Sequence, residues 1–62
     1  MKLIELHTTE NVPVLFNANN ISEIHPYMND ANKGCDIFCM TDTQTHVIES
    51  YEEIKKLLSN LY

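Results

Sequence analysis

The chain predicts a small α+β domain, an antiparallel β-meander of about five short strands with one C-terminal α-helix packed on one face. Three observations predict it. Residues 47–62 pass directly from a β-branched pair into a helix start signal and then into an apolar stripe. The residues before them fall into short β-rich runs separated by polar turn residues. A chain of 62 residues makes one domain, 1–62, with strands within 2–49 and a helix over 51–61.

Residues 2–8 suit a first strand, with Ile4 and Leu6 on one face and Leu3, Glu5 and His7 on the other. Thr9-Glu10-Asn11 is the turn. Residues 12–16 form a short run containing Pro13, and because proline cannot donate to a ladder, this strand belongs at an edge or has Pro13 at its start. Asn17-Ala18-Asn19-Asn20 breaks the pattern with a tight turn or a single helical turn, since asparagine side chains bond nearby backbone. In residues 21–28, Ile21 and Ile24 are three apart, which is out of phase for a plain strand; either Ile21 lies in the preceding turn or a bulge shifts the register. Pro26 limits central pairing there. Residues 29–34, the longest polar stretch, hold the only glycine and read as a mobile loop. Strands over 35–40 and 45–49 follow, joined by a turn at Thr41-Asp42-Thr43-Gln44.

The helix has the clearest local signature. Ser50 can accept from the amide of Glu53 while the Glu53 carboxylate reaches back to the amide of Ser50, a capping box. Ile54, Leu57, Leu58 and Leu61 then recur at one-turn spacing. A helix of this length, about 16 Å, covers only one face of a sheet. Yet on the 35–40 strand Cys35, Ile37 and Cys39 point one way while Phe38 and Met40 point the other, and Leu3 and Leu15 repeat the conflict on other strands. Leu3, Leu15, Phe38 and Met40 are therefore the expected protein interface, with a second copy of the chain as first partner.

Charge narrows the partners further. The net charge is -5, with no arginine, and acids outnumber bases in both halves. A phosphate backbone would find almost nothing to displace its counterions, so nucleic acid is not an expected partner, and a small oligomeric nucleic-acid regulator stands only as the runner-up reading. The N-terminus becomes charged after two apolar residues, and no run approaches the roughly 18 residues of a membrane span; a cytoplasmic location and no membrane partner are expected.

Candidate chemistry is sparse. Cys35 and Cys39 on one strand would have Cα atoms about 13 Å apart, too far to share a zinc ion or a disulfide. His7, His25 and His46 each sit alone on a polar or half-polar face. Glu49, Glu52 and Glu53 cluster where the helix dipole favours negative charge. No metal, cofactor or catalytic residue is expected, and the chain is read as a non-enzyme.

The block Phe16-Asn17-Ala18-Asn19-Asn20-Ile21-Ser22-Glu23-Ile24 and the later Val47-Ile48-Glu49-Ser50-Tyr51-Glu52-Glu53-Ile54 resemble the small bacterial flagellar FlbD family, also called swarming motility proteins. Those proteins carry a similar Leu-Asn-x-x-x-Ile-x-x-Ile block and a similar Val-x-Glu-Ser-x-x-Glu-Val block. The resemblance implies a non-enzymatic accessory protein of motility, bacterial or phage in origin. It assigns no catalytic residue.

Overall fold

The computed structural model describes residues 2–30 and 32–61; the first and last residues of the expected domain, and Ala31 of the expected 29–34 loop, lie outside the described residues. Alternation sets the first hairpin. Strand β1 (Leu3–His7) pairs antiparallel with β2 (Pro13–Asn17), and Ile4 opposite Phe16 and Leu6 opposite Val14 put the apolar pairs on one face. Asn17 then turns the chain: its Oδ1 accepts from the Asn19 N–H at 3.0 Å and closes a 3-10 turn over Ala18–Asn20.

That turn splits the expected meander in two. β3 (Ile21–Pro26) pairs not with β2 but with β4 (Cys35–Cys39), which in turn pairs with β5 (Gln44–Val47), giving a two-stranded and a three-stranded antiparallel sheet. A bulge does shift the register of β3: Ile21 opposes Cys39, and Glu23 already opposes Phe38. Ser22 is the extra residue, so Ile21 and Ile24 can face the core together although they are three apart. Both prolines lie on outermost strands, Pro13 at the start of β2 and Pro26 at the end of β3, where a missing N–H removes no ladder bond.

The β1–β2 and β4–β5 hairpins close in the same way. Thr8 N–H donates to the Val12 carbonyl and Asn11 N–H to the Thr8 carbonyl; Cys39 N–H donates to the Thr43 carbonyl and Asp42 N–H to the Cys39 carbonyl. Each three-residue loop ends on a left-handed residue, Asn11 at φ 64° and Asp42 at φ 63°, the types that tolerate this region best after glycine. Between β3 and β4 the chain makes a tight turn over Tyr27–Asn29, with Met28 at φ 52° and Asn29 at φ 59° in the left-handed region, before Asp30 Oδ1 accepts from the Asn32 N–H at 3.0 Å. Gly34 follows at φ 89°, where a Cβ would run into the Val47 carbonyl.

Two strand ends fall short of expectation. β4 stops at Cys39, leaving Met40 in the hairpin loop, and β5 stops at Val47, leaving Ile48 and Glu49 in a bend. In both places the backbone is diverted: Met40 N–H bonds Asn20 C=O at 2.7 Å and Ile48 N–H bonds His7 C=O at 2.9 Å. Helix α1 (Tyr51–Ser59) starts on Ser50, whose Oγ accepts from the Glu53 N–H at 3.2 Å. The return half of the capping box does not form, and the Glu53 side chain stays exposed.

The core lies between the inner faces of the two sheets, with the helix docked on it. It comprises Ile4, Leu6, Phe16, Cys35, Ile37, Val47 and Ile54. Of the helical stripe, Ile54 is buried at 1% exposure, while Leu57, Leu58 and Leu61 are half-buried at the core margin. No helix of the described residues is long and apolar enough to cross a membrane.

Candidate functional site

The four expected interface residues divide between two surfaces. Leu3, opposite Asn17, and Leu15, opposite Glu5, lie diagonally on the outer face of the β1–β2 sheet, with Leu15 62% exposed. Phe38 lies half-buried on the outer face of the three-stranded sheet, and Met40, 67% exposed, projects from the hairpin loop beyond it. Helix α1 covers none of them, because it docks on the inner side.

The expectation that each histidine sits alone needs correction, since every one of them pairs with a carboxylate. On the outer face of the three-stranded sheet, His25, Asp36 and His46 form one cross-strand row. Asp36 Oδ1 bonds His46 Nδ1 at 3.1 Å, and His25 Nε2 meets Glu23 Oε1 at 2.8 Å. Aromatic edges brace the row: Phe38 stands T-shaped to His25 with centroids 5.3 Å apart, and Tyr27 to His46 at 4.7 Å. Alternation alone places these side chains on one face, but their strand order is what brings them into a row.

The third pair, His7 with Glu49, joins the two sheets. Glu49 is 8% exposed, and its carboxylate accepts twice from one residue, from the His7 N–H at 2.9 Å and from His7 Nδ1 at 2.7 Å. The His7 carbonyl accepts from the Ile48 N–H, so the bend between β5 and α1 engages the His7 backbone and Nδ1, while Nε2 lies 3.6 Å from Glu5 Oε2. The hydrogen bond to Glu49 raises the His7 pKa above its ordinary 6.5; partial burial opposes this, and the nearby charges of Glu49, Glu5 and Glu53 reinforce it. For Glu49, burial pushes the carboxyl upward, but the His7 side-chain and backbone bonds outweigh it and leave the group below its ordinary value. Glu49 therefore serves this link rather than the helix dipole expected from its neighbours. The two residues are 42 apart in sequence, and no local pattern signals the pair.

Cys35 is buried and Cys39 half-buried on the inner face of β4, and neither forms a disulfide. Burial, then the charges of Asp36 and Glu49, push the Cys35 thiol up. Among the described residues no group of three or more His, Cys, Asp or Glu side chains converges as a metal site would require. A groove of about 390 Å³ runs between β3 and α1, floored by Ile21, Ile24, Ile54 and Leu58 with Glu23 and Lys55 at its rim. None of the three histidines lines it.

Comparison with known protein families, with curated proteins and with solved structures found no match to this chain.

Proposed function

We propose that this protein is a small non-enzymatic interaction module that self-associates, with a motility accessory role as the biological setting its FlbD-like blocks suggest. The supporting observation is the exposure of large apolar side chains on outer surfaces the helix does not reach: Leu3, Leu15 and Met40 are all more than 40% exposed, and Phe38, on the same surface as Met40, is only partly covered. For a domain this small, which buries only about 60% of its unfolded surface, a second copy supplies apolar burial that one chain lacks. The histidine–carboxylate row lies on an open sheet face away from the described groove, which favours a binding surface over a reaction site.

Light scattering across a concentration series tests this reading, with circular dichroism as the fold control. The wild type should gain mass with concentration. Leu15→Glu and Phe38→Glu each place a carboxylate on an outer face; the one that sits in the contact should lower the mass while keeping the spectrum. A wild type that stays monomeric at millimolar concentration refutes self-association.

A further inference from the structure

β3 is an outer strand whose second edge is open. Tyr27 N–H donates to the Gly34 carbonyl at 3.0 Å, and the register continues with His25 opposite Asp36 and Glu23 opposite Phe38. Antiparallel strands bond at alternate residues, so 23, 25 and 27 direct their polar backbone groups to β4, while Ile24 and Pro26 direct theirs outward. Pro26 has no N–H to leave unpaired. Ile24 has both an N–H and a C=O, and no described residue bonds them on that side. The β3–α1 groove runs along this edge, leaving the space beside it unfilled.

The geometry points to a two-fold dimer in which β3 of one chain pairs antiparallel with β3 of a second copy, centred on Ile24. Glu23 and His25 flank that centre on the same exposed face, one residue to each side. In this register Glu23 stands opposite the partner's His25 and His25 opposite the partner's Glu23, at the closely spaced, non-hydrogen-bonded positions where side chains meet best. Within one chain Glu23 already reaches His25 at 2.8 Å, so the four groups alternate around the axis. On the inner face Ile24 meets its own counterpart and the two grooves close against each other. Of the other outer strands, β2 directs the backbone groups of Pro13, Leu15 and Asn17 outward and carries no acid–base pair that a two-fold axis would make complementary. β1 does carry Glu5 and His7, but its His7 edge is already taken by Glu49 and by the Ile48 N–H from the bend after β5, which joins the edges of β1 and β5. Self-complementarity about one residue selects a second copy over an unrelated strand. The inference rests on the self-association proposed above and places a contact of its own at the β3 edge, apart from the outer-face residues Leu15 and Phe38.

Two charge variants and their mixture test it. Glu23→Lys alone sets lysine against histidine across the axis, and His25→Glu alone sets glutamate against glutamate, so each should dimerise roughly tenfold more weakly than the wild type. Mixed in equal amounts, the two should recover wild-type mass, because the introduced lysine then faces the introduced glutamate and the untouched pair remains. Contacts within a chain cannot recover on mixing. Exchange of the Ile24 amide should slow as protein concentration rises. If the wild type associates but the mixture stays light and Ile24 exchange ignores concentration, the β3 contact is wrong while self-association stands. A wild type that is monomeric throughout overturns both.

Discussion

Replacing Glu49 by glutamine or alanine tests the link that holds the two sheets together. The side chain is 8% exposed and accepts two bonds from His7, one of them at 2.7 Å from an imidazole whose pKa is raised. Glu49→Ala removes a charge-assisted bond and leaves the His7 N–H without its partner, a loss of about 2–4 kcal/mol. A domain of this size has only about 3–9 kcal/mol of stability in total, so that loss should be conspicuous. Glu49→Gln keeps an acceptor for the His7 N–H and loses the charge, and should cost about 1–2 kcal/mol. Its pH signature is the sharper test. Because the folded pKa of His7 is raised, its contribution is complete below the ordinary value of 6.5 and is lost as pH rises through the higher folded value. Because that of Glu49 is lowered, its contribution is present above the ordinary value of 4.5 and is lost as pH falls through the lower folded value. The pair therefore stabilises most between those two ordinary values. Urea titrations from about pH 4 to pH 9 should show the wild-type midpoint declining above this window and the Glu49→Gln midpoint declining less. Wild-type and variant curves that run parallel over the whole range would refute the link.

Other perturbations separate further parts of the structure. Ile54→Ala should cost about 2–5 kcal/mol, more than Leu58→Ala, since only Ile54 is fully buried on the helix; equal losses in a denaturant titration would mean the helix docks differently. Asn11→Gly and Asp42→Gly should each leave stability unchanged or raise it by up to about 1 kcal/mol, because both residues hold positive φ, whereas Gly34→Ala should lose more than about 2 kcal/mol against the Val47 carbonyl. In the native protein a thiol reagent should modify Cys39 well before Cys35, whose thiol is fully buried with a raised pKa; equal rates would place Cys35 at the surface.

Local chemistry was well recorded in the sequence. The three-residue spacing of Ile21 and Ile24 required a bulge or a displaced strand start, and the bulge is present; Pro13 and Pro26 marked outer strands, and Ser50 marked the helix start. What escaped was set by distant parts of the chain. Alternation gives the faces of each strand but not which faces close on each other, so the division into two sheets at Asn17 could not be read from it. Spacing gave the helical stripe but not its depth: Leu57, Leu58 and Leu61 are half-buried at the core margin, whereas Ile54 is fully buried. The His7–Glu49 pair and the cross-strand histidine row depend on the same long-range closure.

The pairing order also has a kinetic consequence. Every ladder joins strands adjacent in sequence, and two of the three are closed by loops of three residues, so the loop-closure entropy opposing each is small. Hairpins of this kind form early, and the two sheets can assemble separately before they meet. Closing the core then depends on the bend after β5 reaching the end of β1, where His7 engages Ile48 and Glu49. This late-formed junction should open first in the native state, with the Ile48 amide exchanging ahead of the amides within the β3–β4 ladder.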